Sequence, residues 1–176
     1  MRIITGQYKG RHFDIPRTFK ARPTTDFAKE NIFNVMNGYI DLEGVSALDL
    51  FAGTGSISLE LLSRGCASVV SVESDRDHAR FIKQCMQKLG TTSSILVKGD
   101  VFRFVKSCHK EFDFIFADPP YALEQLPTLP DLIFQNQLLN EDGIFVLEHG
   151  KKYDFSAHEH FVEHRAYGSV NFSIFR

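Results

Sequence analysis

A chain of 176 residues, 43% hydrophobic and 24% charged, has the size and make-up of one ordinary α/β globular domain with a sizeable core. That composition argues against a disordered chain, and no apolar run approaches the roughly 20 residues of a membrane span. The formal net charge of −2 is unevenly spread, since residues 1–30 carry seven Lys/Arg against three acids, net +4, and leave −6 on the other 146. A basic arm on an acidic body suits a phosphate-bearing substrate met at one end and a cationic ligand held in the other. Cys66, Cys85 and Cys108 are odd in number and lie far apart, as expected of reduced thiols without zinc, and Cys85 shares a helical face with Ala79, Ile82 and Leu89. The start of the chain lacks an apolar signal core, so a cytoplasmic protein is expected.

In chain order, Arg2–Thr5 and Arg11–Ile15 are short β-like runs around Gly6-Gln7-Tyr8-Lys9-Gly10 and predict a hairpin. Arg22-Pro23-Thr24-Thr25-Asp26 leads into a helix capped by Thr24 or Thr25, with Ala28, Ile32, Val35, Met36 and Tyr39 at helical spacing and a stop near Gly38. Its start gathers Arg22, two hydroxyls, Lys29 and Glu30, where free amides favour an anion or serve plain capping. From Val45 the pattern becomes strand, glycine loop, helix, strand, the beginning of a doubly wound α/β unit. Val45–Phe51 enters Ala52-Gly53-Thr54-Gly55, a helix runs from Ser56 to about Leu62, and Ser68–Glu73 is the second strand. Ser74-x-x-Asp77 reads as a capping box for a helix ending at Gly90. Ile95–Lys98 is a third strand, followed by a short helix from Val101 to Cys108 with Asp100 as its cap. Beyond the fourth strand, a loop interrupted by Pro127 precedes a helix from Pro130 to Leu138, a strand over Gly143–Glu148, and a hairpin of Phe161–Tyr167 with Val170–Phe175. His158, His160 and His164 lack a completing ligand set and suggest no metal.

The fourth strand, Phe112-Asp113-Phe114-Ile115-Phe116-Ala117, is an apolar, aromatic-rich run that ends in Asp118-Pro119-Pro120-Tyr121. Such a run reads as a strand buried on both faces of a parallel sheet, and ligands of these sheets gather at the carboxyl ends of their strands. Prolines donate no hydrogen bond, so this corner offers a carboxylate and free carbonyls as acceptors, with an aromatic face beside them. Those groups suit an exocyclic amino group on a planar base. The blander reading is a capping Asp and a strand-breaking Pro pair.

The glycine loop and the acid after the second strand mark a nucleoside cofactor. A dinucleotide fingerprint wants glycine at position 58, where the chain has Ser58, and Asp49 is poorly placed beside a pyrophosphate. S-adenosylmethionine carries a sulfonium and an ammonium without phosphate and fits a rim of Asp49, Glu73, Asp100 and Asp118, each at a predicted strand exit. Glu73 would take the ribose diol, Asp100 the adenine amino group, and the Gly53–Gly55 backbone the methionine part. The candidate cofactor residues are Asp49, Phe51, Gly53, Gly55, Glu73, Ser74, Asp100, Val101 and Asp118.

Leu48-Asp49-Leu50-Phe51-Ala52-Gly53-Thr54-Gly55 and Asp118-Pro119-Pro120-Tyr121 resemble motifs I and IV of class I S-adenosylmethionine-dependent amino-methyltransferases. The front end, Arg2-Ile3-Ile4-Thr5-Gly6-Gln7-Tyr8-Lys9-Gly10-Arg11, then Arg22-Pro23-Thr24-Thr25-Asp26 and Glu30-x-x-Phe33-Asn34, is similar to the RsmD-like family of bacterial 16S rRNA guanine-N2 methyltransferases. The resemblance covers nearly the whole chain. It implies an α/β, Rossmann-like class I methyltransferase fold: a mostly parallel doubly wound sheet with a C-terminal antiparallel hairpin, plus a small N-terminal β-hairpin and helix. Residues 1–40 would then be an RNA-facing extension and 41–176 the methyltransferase domain. It further implies catalysis by Asp118, Pro119 and Tyr121, and contacts from Arg2, Lys9, Arg11, Arg22, Thr24, Lys29 and Tyr121 to ribosomal RNA or a small ribosomal subunit, by a monomer without metal. Where the family pattern has arginine before the glutamate of the helix motif, this chain has Lys29, which removes the basis for a fork-like phosphate contact there. Rival readings are an adenine-N6 methyltransferase on DNA or RNA, a protein-glutamine methyltransferase, a nonenzymatic RNA-binding or assembly factor, and an NAD-dependent oxidoreductase.

Overall fold

The computed structural model describes residues 1–20 and 24–176. Its elements run α1 (Asp26–Met36), β1 (Ser46–Leu50), α2 (Ser56–Ser63), β2 (Ser68–Glu73), α3 (Arg76–Leu89), β3 (Ser94–Lys98), α4 (Val101–Ser107), β4 (Phe112–Ala117), a short 3-10 turn at Leu126–Thr128, α5 (Leu129–Gln135), β5 (Leu139–His149), β6 (Phe161–Tyr167) and β7 (Val170–Phe175). The strands form one sheet in the order β3-β2-β1-β4-β5-β7-β6. β1 to β5 are mutually parallel, and β7 runs antiparallel between β5 and β6. This is the mostly parallel, doubly wound sheet with a closing hairpin that the sequence implies. β1, β2 and β4 are buried on both faces because helices cover both sides, and two clusters of buried apolar side chains separate accordingly. Among the described residues no helix is long and apolar enough to cross a membrane.

Strand order reverses between β1 and β4, where ligands of open α/β sheets bind. Leu50 of β1 pairs with Ala117 of β4, and the Asp118 amide donates to the Leu50 carbonyl at 3.3 Å, so the glycine loop and the Asp-Pro-Pro-Tyr corner leave the sheet side by side. On the other flank the Ala52 amide bonds the Val72 carbonyl at 3.0 Å and the Gly99 amide bonds the Glu73 carbonyl at 3.0 Å, which draws four strand tips into one rim.

Several elements differ from expectation. The N-terminal hairpin forms but is short: Arg2 bridges His12, Met1 and Ile3 exchange backbone bonds with Phe13, Arg11 and Gly10, and the Ile4 and Thr5 amides turn to α2. Of the two expected caps of α1, Thr25 is the one that serves, accepting from the Ala28 amide. Asp75 caps α3 through bonds from the Asp77 and His78 amides, which displaces Ser74 from that role: the carboxylate one residue later reaches two free amides at once. α5 begins before Pro130 and stops at Gln135, and β5 starts at Leu139.

Residues 1–40 pack into the same core as the sheet. Ile3, Phe13, Ile32, Phe33 and Met36 share one buried cluster with α2 and α3. The arm is fixed to α2 by a buried carboxylate. Glu60, fully buried, accepts from the Ile4 and Thr5 amides at 2.9 and 3.0 Å and from Arg64 Nε at 3.2 Å, and lies 3.5 Å from Lys29 Nζ. Lys29 Nζ also donates to the Arg2 carbonyl at 2.7 Å and to Ser56 Oγ at 2.9 Å. Burial pushes the Lys29 amine down, opposed by the Glu60 charge. Lys29 is therefore a structural cation with 1% exposure and is not available to RNA, a correction to the reading of the helix start. The arm then approaches the far end of α2 so closely that a Cβ on Gly6 would fall 1.9 Å from the Ser63 carbonyl oxygen, and Gly6 sits at φ +95°.

Glu60→Ala should strip Lys29 of its counter-charge and leave two arm amides unsatisfied. A loss of about 3–5 kcal/mol is expected, read by calorimetry as a lowered melting temperature. An unchanged melt would mean that the buried cluster contributes nothing.

Candidate active site

The rim is built from the tips of β1, β2, β3 and β4. Asp49, in β1 one residue from its end, is fully buried and accepts from Ser58 Oγ at 2.6 Å, and Ser58 lies 2.6 Å from Ser71 Oγ of β2. The serine at the position that fails the dinucleotide fingerprint thus has a positive task, holding the buried acid from beneath. Burial pushes the Asp49 carboxyl up to about 7, reinforced by the charges of Asp118 and Glu73 and opposed by the Ser58 hydrogen bond.

Between Asp49 and α2 the chain makes a strained turn. Phe51 stands at φ 59°, a left-handed conformation that bulky residues rarely adopt, with Gly53 and Gly55 at φ 58° and 80°. A Cβ at Gly55 would come within 3.0 Å of the Ile82 side chain, so α3 packs against the loop backbone directly. The Gly53 amide donates to Glu73 Oε1 at 3.2 Å and the Asp75 amide to Oε2 at 3.4 Å, which aims the Glu73 carboxylate across the loop. Burial pushes the Glu73 carboxyl up, and these amides and His78 pull against it. Ser74 follows Glu73 at the exposed rim. Asp100 is exposed and caps α4 through the Arg103 amide at 3.0 Å, while the Val101 side chain is buried in the core and offers only its backbone to the rim. The half-buried rings of Phe51 and Phe102 meet edge to face at 6.2 Å and wall this side.

On the β4 side Asp118 stands against Glu148, near the end of β5. Register places them as neighbours, since Ala117 pairs with Leu147. The Asp118 carboxyl is held well above the usual carboxylate range, first by burial and then by its hydrogen bond and charge contact with Glu148. The Tyr121 hydroxyl faces the same two acids; burial first, and then the charges of Glu148 and Asp118, raise the phenol. Its ring, 38% exposed, lies over Gly150, where a Cβ would touch it at 3.5 Å. The Pro120 carbonyl accepts from the Leu123 amide at 3.0 Å, and among the described residues no protein hydrogen bond takes the Pro119 carbonyl. The corner therefore presents a carboxyl, a carbonyl and a half-open aromatic face, as the sequence implies. Glu148 escapes a reading of the sequence, because an acid in an apolar strand looks like an edge feature until the register sets it beside Asp118.

The front-end residues divide. Arg2 pairs with Asp26 at 2.8 Å near the start of α2, and Thr24 is half-buried in the same region. The arm runs along α2 away from the loop, which sets its turn, with exposed Lys9 and Arg11, beside Ser63, about 10 Å from Ser56 on the helix rise. There Arg11 donates to the Lys88 carbonyl at the end of α3. Arg22 lies outside the described residues. The chain returns past α3, where Phe19 packs on His78 with ring centroids 4.5 Å apart and exposed Lys20 stands near Asp75. Phe27, 67% exposed, sits at the α1 start. The three histidines have other partners: His158 pairs with Asp131 at 3.0 Å, His160 stacks on Phe134 at 3.8 Å, and His164 bonds Asn171 at 2.9 Å.

A family model described as conserved hypothetical protein 95 matches residues 1–176. The chain is 38% identical over 156 residues to YlbH of Bacillus subtilis, covering 86% of this chain and 84% of that one. It is 30% identical over 148 residues to the ribosomal RNA small subunit methyltransferase D of Escherichia coli K12, covering 84% and 74%. The solved structure of yhhF from Escherichia coli superposes with a TM-score of 0.88 at 25% identity, over 99% of this chain and 96% of that one.

Asp49 generates a stability test. Its carboxyl rises from 3.8 to about 7 on folding, so the folded state binds the proton more tightly and stability is lost as pH climbs through that window. Asp49→Asn should remove this loss. The variant should be more stable than the parent at pH 8 by a few kcal/mol, at about 1.4 kcal/mol for each tenfold gain in proton affinity, and match it below pH 4. Denaturant titrations across the pH range check this, and a constant difference throughout would contradict the assignment.

Proposed function

Because the chain belongs to the RsmD-like family, matched along its whole length, we propose that it methylates the exocyclic N2 amine of a guanine in small-subunit ribosomal RNA. The observation that carries the proposal is the juxtaposition of Asp118-Pro119-Pro120-Tyr121 with the glycine loop one strand away, an amine-gripping corner beside an acidic bowl. The relative named for methylation of small-subunit rRNA supports the substrate class.

The cofactor is S-adenosylmethionine, which supplies a methyl group on positive sulfur, open to attack by an amine. The bowl fits it: four acids, Asp49, Glu73, Asp100 and Asp118, line the rim, which opposes a pyrophosphate and favours a sulfonium and ammonium. Glu73 and the exposed Asp100 would hold the ribose and adenine ends between Phe51 and Phe102, and the strained loop from Phe51 to Gly55 with Asp49 the amino-acid end.

The chain's own contribution is orientation. The base is turned out of its stack, laid on the open face of Tyr121, and its amine held by Asp118 and the Pro119 carbonyl. Two acceptors on one nitrogen direct its remaining lone pair away from them, toward the bowl. The proton lost when that nitrogen becomes a secondary amine passes to Asp118 or to water, and the raised affinity of the Asp118 carboxyl for protons suits the acceptor. Arg2, Lys20 and Thr24 on one side and exposed Lys151 and Lys152 beside Tyr121 on the other would meet the phosphates. Adenine-N6 methylation uses the same corner and is separated from guanine by product identification. An NAD-dependent reading is opposed by the buried Asp49–Ser58 pair under the loop.

Asp118→Ala should lower turnover by at least about a thousandfold while calorimetric affinity for S-adenosylmethionine stays near the parent value. Mass spectrometry of rRNA nucleosides should find N2-methylguanine as the parent product. Equal loss of binding and turnover would sink the role of Asp118, and N6-methyladenine as product would sink the guanine reading.

A further inference from the structure

Glu148 is a second buried acid at the amine corner, and the orientation just described makes no use of it. It lies one strand over from Asp118 on the same side of the sheet, since Ala117 and Leu147 are in register, and is 8% exposed. Neighbouring strand tips stand about 4.8 Å apart, so the two carboxyl groups form a pair of adjacent acceptors. Both meet the hydroxyl end of Tyr121, whose half-open ring offers the platform for a base. A base lying on that ring would therefore present its hydrogen-bonding edge to two acids side by side.

The edges of the two candidate bases differ in one decisive atom. Guanine carries its N2 amine beside N1–H, two neighbouring donors, whereas adenine carries its N6 amine beside a bare N1, a donor beside an acceptor. A single acid cannot tell the amines apart. Two adjacent acids accept from both guanine donors, and with adenine one of them faces a lone pair.

We propose that Glu148 selects the base, its carboxylate accepting the guanine N1–H while Asp118 holds the N2 amine. The inference rests on the guanine reading above and assigns the residue that enforces it. The bond from the protonated Asp118 carboxyl to Glu148 in the free protein is then a placeholder: its proton leaves to solvent as the two donors of the base take its place. Adenine is rejected because a buried acid is left unpaired against its N1, a penalty that binding sites built for a hydrogen bond impose on analogues that lack it.

The test uses the full chain and small-subunit RNA whose methylated nucleotide has been mapped, prepared with either guanine or 2-aminopurine at that position. 2-Aminopurine keeps the amine but has no N1–H. The parent enzyme should prefer guanine by at least about 100-fold in kcat/KM. Glu148→Gln, whose amide can donate to a bare N1, should lose activity on guanine and gain relative activity on 2-aminopurine, so the preference falls below about tenfold. Glu148→Asp keeps an acceptor and should retain the preference at lower turnover. If Glu148 only braced Tyr121 or the fold, Gln would slow both substrates equally, and an unchanged preference overturns the proposal. Loss of the preference in Glu148→Asp also overturns it. If the parent makes no N2-methylguanine, the guanine reading has failed first and this assignment falls with it. N2-methylguanine from the parent with an unaltered preference in Glu148→Gln overturns only the role of Glu148.

Discussion

Four carboxyl groups taken out of water at adjacent strand ends are the constraint on which the rest of this molecule depends. Asp49, Glu73 and Glu148 are buried and Asp118 half-buried, and three of the four have their proton affinity raised by loss of water. Unrelieved, such a cluster would be costly, because desolvation and mutual repulsion act in the same direction. The fold relieves it one acid at a time: a serine hydroxyl under Asp49, two loop amides on Glu73, and a tyrosine and a neighbouring carboxyl on the β4 and β5 tips. What is left over is a standing attraction for a positively charged ligand, and the catalytic site and its scaffold share that origin.

The same acids explain why the backbone around them is strained. For β1 to turn into α2 within a few residues and leave the Gly53 amide aimed at Glu73, Phe51 takes a left-handed conformation, with two glycines close behind. α2 is in turn anchored along its length, at Ser56 by Lys29, at Glu60 by the arm and at Ser63 by Gln7 and Tyr8. The front end of the chain therefore does more than face a substrate. Its buried contacts hold the helix that follows the glycine loop.

Much of this is legible in the sequence. The boundaries of β2, β4, β6 and β7 can be read from apolar runs closed by turn residues, and Asp49, Glu73, Asp100 and Asp118 at successive strand exits specify a cationic nucleoside ligand. The misses share a cause, in that they depend on which residues distant in sequence meet. Lys29 looks like a surface cation at a helix start until Glu60 is found behind it. Glu148 has no motif of its own and gains meaning only from its register with β4. Ser58 stands out in the sequence for the glycine it replaces and not for the hydroxyl it brings.

The attachment of the arm has a consequence for the order of events during synthesis. Ile4 and Thr5 bond a side chain 56 and 55 positions further on, so this segment has no partner on leaving the ribosome until Glu60 has followed it. Lys29 waits likewise, hydrated, because its burial is tolerable only once that carboxylate arrives. Docking of the arm thus closes a long loop and takes two opposite charges out of water together, so this basic segment of a nascent chain stays hydrated until α2 is made.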